Sequence, residues 1–220
     1  MNKKGVYSSL LNDLQKQLSR FFRNNEFKKY NRTYNKSQRD GLVHVINFQL
    51  GEYPIGNYVI PGIRDTLYGK FAINLGVYIP IIDHLEKHYK INMKNGIKEY
   101  ECEIRERLKP NKHKTDYWID LPNDISKTGN HVQELIETEG FAFLEQFRSI
   151  DDIIKYYEKY GEIPFNSDDR STFSIALIHY GLGNKKKFDE YCNKLIKDCT
   201  HKGFVEHIKK VCDNLINSIV

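Results

Sequence analysis

The chain has 220 residues, of which 40% are hydrophobic and 29% are charged. This composition supplies enough apolar side chains for a folded core and argues against intrinsic disorder. No apolar run approaches the roughly 18 residues of a membrane-spanning helix, and polar residues interrupt the first apolar stretch too early for a secretion signal. We therefore expect a folded cytoplasmic protein with no membrane segment.

The net charge of +5 is concentrated at the start of the chain. Residues 1–40 contain ten Lys and Arg against three Asp and Glu, whereas residues 41–220 contain 24 against 26. A basic segment could bind nucleic acid. These basic residues are scattered, however, with no Arg-Gly or aromatic-basic repeat, which is more typical of a solvated surface. Nucleic-acid binding through residues 1–40 is therefore an alternative hypothesis only.

The first half of the chain has the pattern of one helix followed by a sheet. Leucine and phenylalanine at helical spacing predict a helix over Ser8–Arg23. Asp40-Gly41 predicts a tight turn with positive φ. Alternating side chains then predict strands over 42–50, 70–79 and 98–108, and a short edge strand over 117–119. Alternation of this kind indicates an antiparallel sheet with one face covered.

One connection in this half is unusually long. Residues 51–69 hold four Gly and two Pro between two predicted strands. Connections of this length in compact domains are often binding loops. A mobile binding loop and a meandering surface excursion are both compatible with the composition.

After Pro122 the apolar pattern changes to a period of 3.6. Helices are predicted over 130–147, 150–160, 169–180, 185–198 and 203–218. The fold class is therefore α+β, with an antiparallel sheet of about four or five strands, an amino-terminal helix and a carboxyl-terminal helical bundle. The change of pattern divides the chain into residues 1–122 and 123–220, as two domains or as one continuous domain.

Polar side chains share one face of the predicted sheet, opposite Ile46, Ile73 and Ile104. The two strand-centre Asn residues among them are poor β-formers, which suggests that function has overridden folding. Arg beside amide groups could hold a carboxylate or a phosphate; cross-strand pairs on a solvated face are the other interpretation. The candidate binding residues are Asn47, Gln49, Asn74, Glu103, Arg105 and Arg107.

Sequence motifs of common enzymes are absent. There is no nucleophile elbow, phosphate-binding loop or H-E-x-x-H motif. His84 and His88 could share a helix face, but no third ligand accompanies them, so we expect no metal site and no cofactor. Glu101 and Glu103 with Arg105 could act in acid–base catalysis if their environments differed. A hydrolase or nuclease on the polar face is therefore an alternative hypothesis, with no catalytic residue assigned.

Several motifs together resemble a known family. They are INFQ at 46–49, FAINLGVYIP at 71–80, ECEIRERL at 101–108, DYWIDL at 116–121 and FLEQFRSIDDIIKYY at 143–157. In this order and spacing they are similar to a bacterial domain of unknown function, DUF4304, from about Leu18 onward. The resemblance implies no activity. Genes of such proteins sometimes neighbour toxin genes, which suggests a role in immunity. We therefore expect a non-enzymatic module that binds another protein.

Overall fold

The computed structural model describes residues 3–51, 67–87, 95–111, 117–122 and 124–217. Two helices open the chain, α1 (Lys3–Gln17) and α2 (Ser19–Asn24), where one helix is predicted. Helix α1 begins at Lys3 and not at the predicted Ser8. The sequence did not predict this first turn because the turn carries no apolar stripe. Among the described residues, no helix is long and apolar enough to cross a membrane.

The sheet is antiparallel throughout. Its strands are β1 (Lys28–Tyr30), β2 (Thr33–Ser37), β3 (Val43–Leu50), β4 (Lys70–Tyr78), β5 (Ile104–Arg107) and β6 (Ile119–Asp120). β1 to β5 lie in chain order, and β6 pairs with β4 beyond that path. Asp40 and Gly41 both have positive φ, at 56° and 75°, in the turn before β3. The predicted fold class is confirmed, as is the conformation of this turn.

The predicted strand over 98–108 is wrong in its first half. Residues Glu99–Glu101 form a 3₁₀ turn, and β5 starts only at Ile104. Cys102 packs against Gly76, where an added Cβ would lie 2.6 Å from the sulfur. Cys102 therefore lies on the opposite face of the sheet from Ile104, in a small cluster with Val43, Val45, Tyr78 and Ile97. The alternation of polar and apolar residues over 98–103 is typical of a strand, but local hydrogen bonds stabilise a turn there instead.

The helices after Pro122 follow the predicted pattern closely, and a helix that was not predicted directly follows β4. They are α3 (Pro80–Lys87), α4 (Ser126–Leu135), α5 (Phe141–Leu144), α6 (Ile150–Tyr160), α7 (Asp168–Gly181), α8 (Lys185–Asp198) and α9 (Lys202–Asn217). One predicted helix, 130–147, is interrupted by a π-helical turn at Ile136–Gly140. Ser149 caps α6 through the Asp152 N–H at 3.2 Å, and Gly161 ends it with φ of 79°.

The main hydrophobic core covers one face of the sheet. Phe22 of α2 stacks on Tyr34 with ring centroids 3.7 Å apart, and Phe21 stacks on Phe141 at 5.8 Å. α7 is buried along most of its length within the same cluster. This cluster includes side chains from both sides of residue 122, and the division into 1–122 and 123–220 stays a prediction. The other face of the sheet carries the predicted polar residues.

Candidate binding site on the polar sheet face

Strand register brings most of the predicted binding residues together. Asn47 of β3 pairs with Asn74 of β4, and Asn74 pairs with Arg107 of β5. Arg105 lies two residues from Arg107 on the same face, opposite Gly76. Since side chains alternate along a strand, these groups share the face opposite the main core. The predicted orientation away from Ile46, Ile73 and Ile104 follows from the same register.

A series of hydrogen-bonded polar side chains, most of them amides, crosses this face from β2 to β5. Asn47 Nδ2 donates to Thr33 Oγ1 at 2.9 Å, and Asn74 Nδ2 donates to Gln49 Oε1 at 3.0 Å. Gln49 Oε1 also accepts from Arg107 Nη2 at 3.1 Å. Asn74 is only 7% exposed, so the interpretation of this face as solvated is wrong for this residue. At such a buried position an amide, which neighbouring amides can satisfy, is less costly than a charged side chain.

The two arginines are held mainly by aromatic rings. The Arg105 guanidinium carbon lies 3.9 Å from the ring centroid of Phe165, and that of Arg107 lies 4.8 Å from the Trp118 ring. Within the described parts of the chain, Arg105 Nε and Arg107 Nη1 are buried and have no hydrogen-bond acceptor. A buried N–H without an acceptor costs about 1–3 kcal/mol, so the described residues leave two donors of this arginine pair unsatisfied.

Phe165 comes from outside the sheet and was missed by the sequence analysis. It lies between α6 and α7, with φ of 72° and 68% of its surface exposed. Two bonds hold its segment on the edge of β5: Arg105 N donates to Pro164 O at 3.5 Å, and Asn166 Nδ2 donates to Glu103 O at 2.7 Å. A left-handed backbone is strained for an aromatic residue. An exposed ring held under strain over an arginine points to a functional position.

A cavity of about 470 Å³ opens over these side chains. Five of its lining residues form what we call the Arg105–Arg107 cluster: Gln49, Asn74, Arg105, Arg107 and Phe165. The cavity is also lined by Glu99, Glu106 and Lys109. This volume falls in the usual range for ligand pockets. Positive side chains on the cavity wall and an aromatic at its rim are suited to an anionic group carried by a larger partner.

Glu99 is the carboxylate closest to this arginine pair in the described structure. Its Oε1 lies 3.7 Å from Arg105 Nη1, beyond hydrogen-bond length. Burial raises the pKa of Glu99, and the charges of Arg105 and Arg107 offset only part of that effect. Glu99 is therefore a loose partner of Arg105.

Glu103 is separated from the other predicted binding residues. It takes part in what we call the Arg170 cluster, made of Glu86, Glu103, Arg170, Ser174 and His207. Arg170 Nε and Nη2 donate to Glu103 at 2.8 Å, and the Ser174 hydroxyl also donates to this carboxylate. Because Glu103 precedes β5 and packs against α7, its carboxylate meets partners that lie 67 and 71 residues further along the chain.

The Arg170 cluster continues to α3 and α9. Arg170 donates to both oxygens of Glu86 at 2.7 and 2.8 Å, and His207 Nε2 lies 2.7 Å from Glu86 Oε1. Burial alone would raise the pKa of Glu86, but the Arg170 hydrogen bonds and charge outweigh it, and the pKa is lowered. Burial alone would lower the pKa of Arg170, but the hydrogen bonds and charges of Glu86 and Glu103 outweigh it, and this pKa is raised. The cluster is thus a saturated ion network.

The carboxylates of the catalytic hypothesis are also separated. Glu101 accepts from the backbone N–H of Lys98 at 2.6 Å, which stabilises the 3₁₀ turn, while Glu103 is bound by Arg170. In the described structure no group of three His, Cys, Asp or Glu is placed to hold a metal ion. His88 lies outside the described residues, as does most of the connection over 51–69, so those two hypotheses stay predictions.

The basic amino-terminal segment is partly engaged within the fold. Lys16 pairs with Asp13 at 3.0 Å and Lys36 with Glu26 at 3.1 Å. Arg32 Nη2 donates to Ser8 Oγ at 2.8 Å. These contacts use three of the ten basic residues for local structure, and nucleic-acid binding through this segment stays an alternative hypothesis.

Comparison with known proteins gives one match. The family model described as a domain of unknown function, DUF4304, matches residues 18–146, more than half of the chain. The chain therefore belongs to this family, as its motifs predict. The matched region contains the sheet, Arg105 and Arg107, but ends before Phe165 and Arg170. No curated protein and no solved structure matches the chain significantly.

Proposed function

We propose that this DUF4304 member is a non-enzymatic binding protein, and that it recognises an acidic surface of a partner protein through the Arg105–Arg107 cluster. The observation that carries the proposal is the pair of guanidinium groups with buried N–H donors that no described residue accepts. An anionic group of the partner would bond the side of the two guanidinium groups that faces the cavity. The gain on binding is then larger than for an arginine that is already paired.

The side chains around the cavity support a protein as partner. Arg, Tyr, Phe and Trp are the residue types that dominate the energy of protein interfaces. Phe165 is 68% exposed, and Tyr100, which follows the cavity-lining Glu99, is 73% exposed. The large exposed ring of Phe165 beside Arg105 favours a macromolecular surface over a small molecule enclosed by the pocket.

The proposed setting is the cytoplasm, with a toxin as one class of partner. The family resemblance suggests immunity, and a toxin with acidic residues at its surface would be complementary to this site. A hydrolase is the less favoured function, because Glu101 and Glu103 are each engaged elsewhere and their carboxylates are not paired.

The test compares two arginines in one affinity experiment. Tagged wild-type protein, Arg107→Gln and Arg148→Gln are expressed in the source cells, and captured proteins are quantified by mass spectrometry. Arg148 is the matched control, because it is exposed and paired with Glu145 away from the cavity. A partner should be captured by wild type and Arg148→Gln and lost with Arg107→Gln.

The captured protein is then purified and its affinity is measured by calorimetry. Arg107→Gln should weaken binding by about tenfold or more, as for an interface arginine. A partner that binds Arg107→Gln with wild-type affinity would contradict the proposal.

A further inference from the structure

We infer that the ligand group of the Arg105–Arg107 cluster is a carboxylate, and that it enters by displacing Glu99 from Arg105. The inference rests on the proposed function and specifies its chemistry. Glu99 then acts as an internal competitor that occupies the site in the free protein. Removing its charge should strengthen binding.

The distances show that Glu99 is replaceable. Arg170, in the same protein, donates to its two carboxylates at 2.7–2.8 Å. Glu99 Oε1 remains 3.7 Å from Arg105 Nη1 and leaves Arg105 Nε without an acceptor. A free carboxylate could form the bidentate pair that the fixed turn at Glu99–Glu101 does not allow.

The electrostatics of Glu99 point the same way. A carboxylate that is well paired with arginine normally has a lowered pKa. The pKa of Glu99 is instead raised, because burial outweighs the attraction of Arg105 and Arg107. Glu99 therefore recovers little of its desolvation cost in the free protein, and its release to water opposes ligand entry only weakly.

The cavity favours a carboxylate over a phosphate. Arg105, Arg107 and Lys109 face two acidic side chains, Glu99 and Glu106, so the excess positive charge is small. Phosphate sites commonly add backbone N–H groups from a helix start or a loop nest. Here the cavity lies over the strands, whose N–H groups bond between neighbouring strands. A single negative charge fits this surface better than a dianion.

Phe165 presents Arg105 for this exchange. Its ring stacks 3.9 Å from the guanidinium carbon and covers one flat side. Stacking uses the flat side of the guanidinium and leaves its N–H donors, which lie in the plane, for bonds to a carboxylate.

The experiment measures binding of a fluorescein-labelled hexaglutamate peptide by anisotropy at low, constant salt. The proteins are wild type, Glu99→Gln, Glu99→Ala, Arg107→Gln and Glu145→Gln. Glu145→Gln is the control, since it makes the same change of charge at an exposed residue paired with Arg148. Circular dichroism establishes that each variant is folded.

Both Glu99 variants should bind the peptide about five- to tenfold more tightly than Glu145→Gln, and Arg107→Gln about tenfold more weakly than wild type. If the Glu99 variants bind no more tightly than Glu145→Gln, the displacement is wrong. If inorganic phosphate displaces the peptide at lower concentrations than glutarate does, the carboxylate assignment is wrong. In either case the proposed function still stands if Arg107→Gln loses the partner protein.

Discussion

Two arginine clusters flank β5, and they differ in how completely their charges are paired. Arg170 makes four hydrogen bonds of 2.7–2.8 Å to the carboxylates of Glu86 and Glu103. Among the described residues, Arg105 and Arg107 are less completely paired, with a 3.1 Å bond to an amide, two aromatic contacts and two buried N–H groups for which no described residue is an acceptor. Both clusters are built around arginine, but they differ in how many acceptors the described residues offer to its N–H groups.

Under the proposed function, this difference separates a structural cluster from a binding cluster. A buried ion network whose members are all satisfied fixes the elements that contribute to it, and it loses several kcal/mol when one member is removed. An arginine pair that lacks acceptors costs stability in the free protein and gains it back with a ligand. Substitutions in the two clusters should therefore affect different measurements.

The largest expected effect is on the Arg170 cluster. Arg170→Met removes the cation between two carboxylates that are largely buried, with the Glu86 side chain 9% exposed and the Glu103 side chain 14% exposed. The free energy of unfolding should fall by about 3 kcal/mol. Urea unfolding followed by circular dichroism measures this loss. A loss below about 1 kcal/mol would place the Arg170 cluster among ordinary surface pairs.

A pair of glutamate variants should change stability in opposite directions. The pKa of Glu86 is lowered in the folded protein, so its contribution is present above its ordinary value of 4.5 and is lost as the pH falls through the folded pKa. Glu86→Gln should lose about 2 kcal/mol at pH 7, with a smaller difference from wild type in acid.

Glu99→Gln should show the reverse behaviour. The pKa of Glu99 is raised, so its charged form costs stability at neutral pH, and protonation relieves that cost. This variant should be as stable as wild type at pH 7 or slightly more stable. Urea curves at pH 7 and pH 4 compare the two variants, and an equal loss for both at pH 7 would remove the distinction between the clusters.

A smaller effect is expected at Phe165. Phe165→Gly relieves a left-handed backbone that costs an aromatic residue about 1–2 kcal/mol, and it loses a ring contact to Arg105 of about 0.5–1 kcal/mol. The variant should gain about 0.5 kcal/mol of stability while binding the partner more weakly. Phe165→Ala keeps the strain and serves as control. A Gly variant that binds as wild type would exclude Phe165 from the site.

The sheet and its polar face could be predicted because both depend on local alternation. Asn47, Asn74 and Arg107 occupy the predicted face, since side-chain direction in a strand follows from residue parity once the strand is correct. The helices after residue 149 were likewise predictable from caps and period, as Ser149 and Gly161 show.

The assignment of Glu103 could not be predicted, because its partners are distant in the sequence. Arg170 lies 67 residues away from Glu103 in the sequence. Glu103 and Arg105 alternate along the same predicted strand, so the sequence pattern places both on the polar face. Phe165 was missed for a related reason, since a single ring in a loop carries no periodic signal. A Pro-Phe-Asn turn with an apolar residue in it is the one local indication that sequence offers.

The most direct test of the account is the free energy of unfolding of Arg107→Gln, measured by urea beside Arg170→Gln. The substitution removes one bond to Gln49 and the contact with Trp118, but it also removes a buried N–H that no described residue accepts. These effects offset each other, and Arg107→Gln should lie within about 0.5 kcal/mol of wild type while Arg170→Gln loses about 3 kcal/mol. An equal loss in both variants would contradict the account, because Arg107 would then hold the fold together.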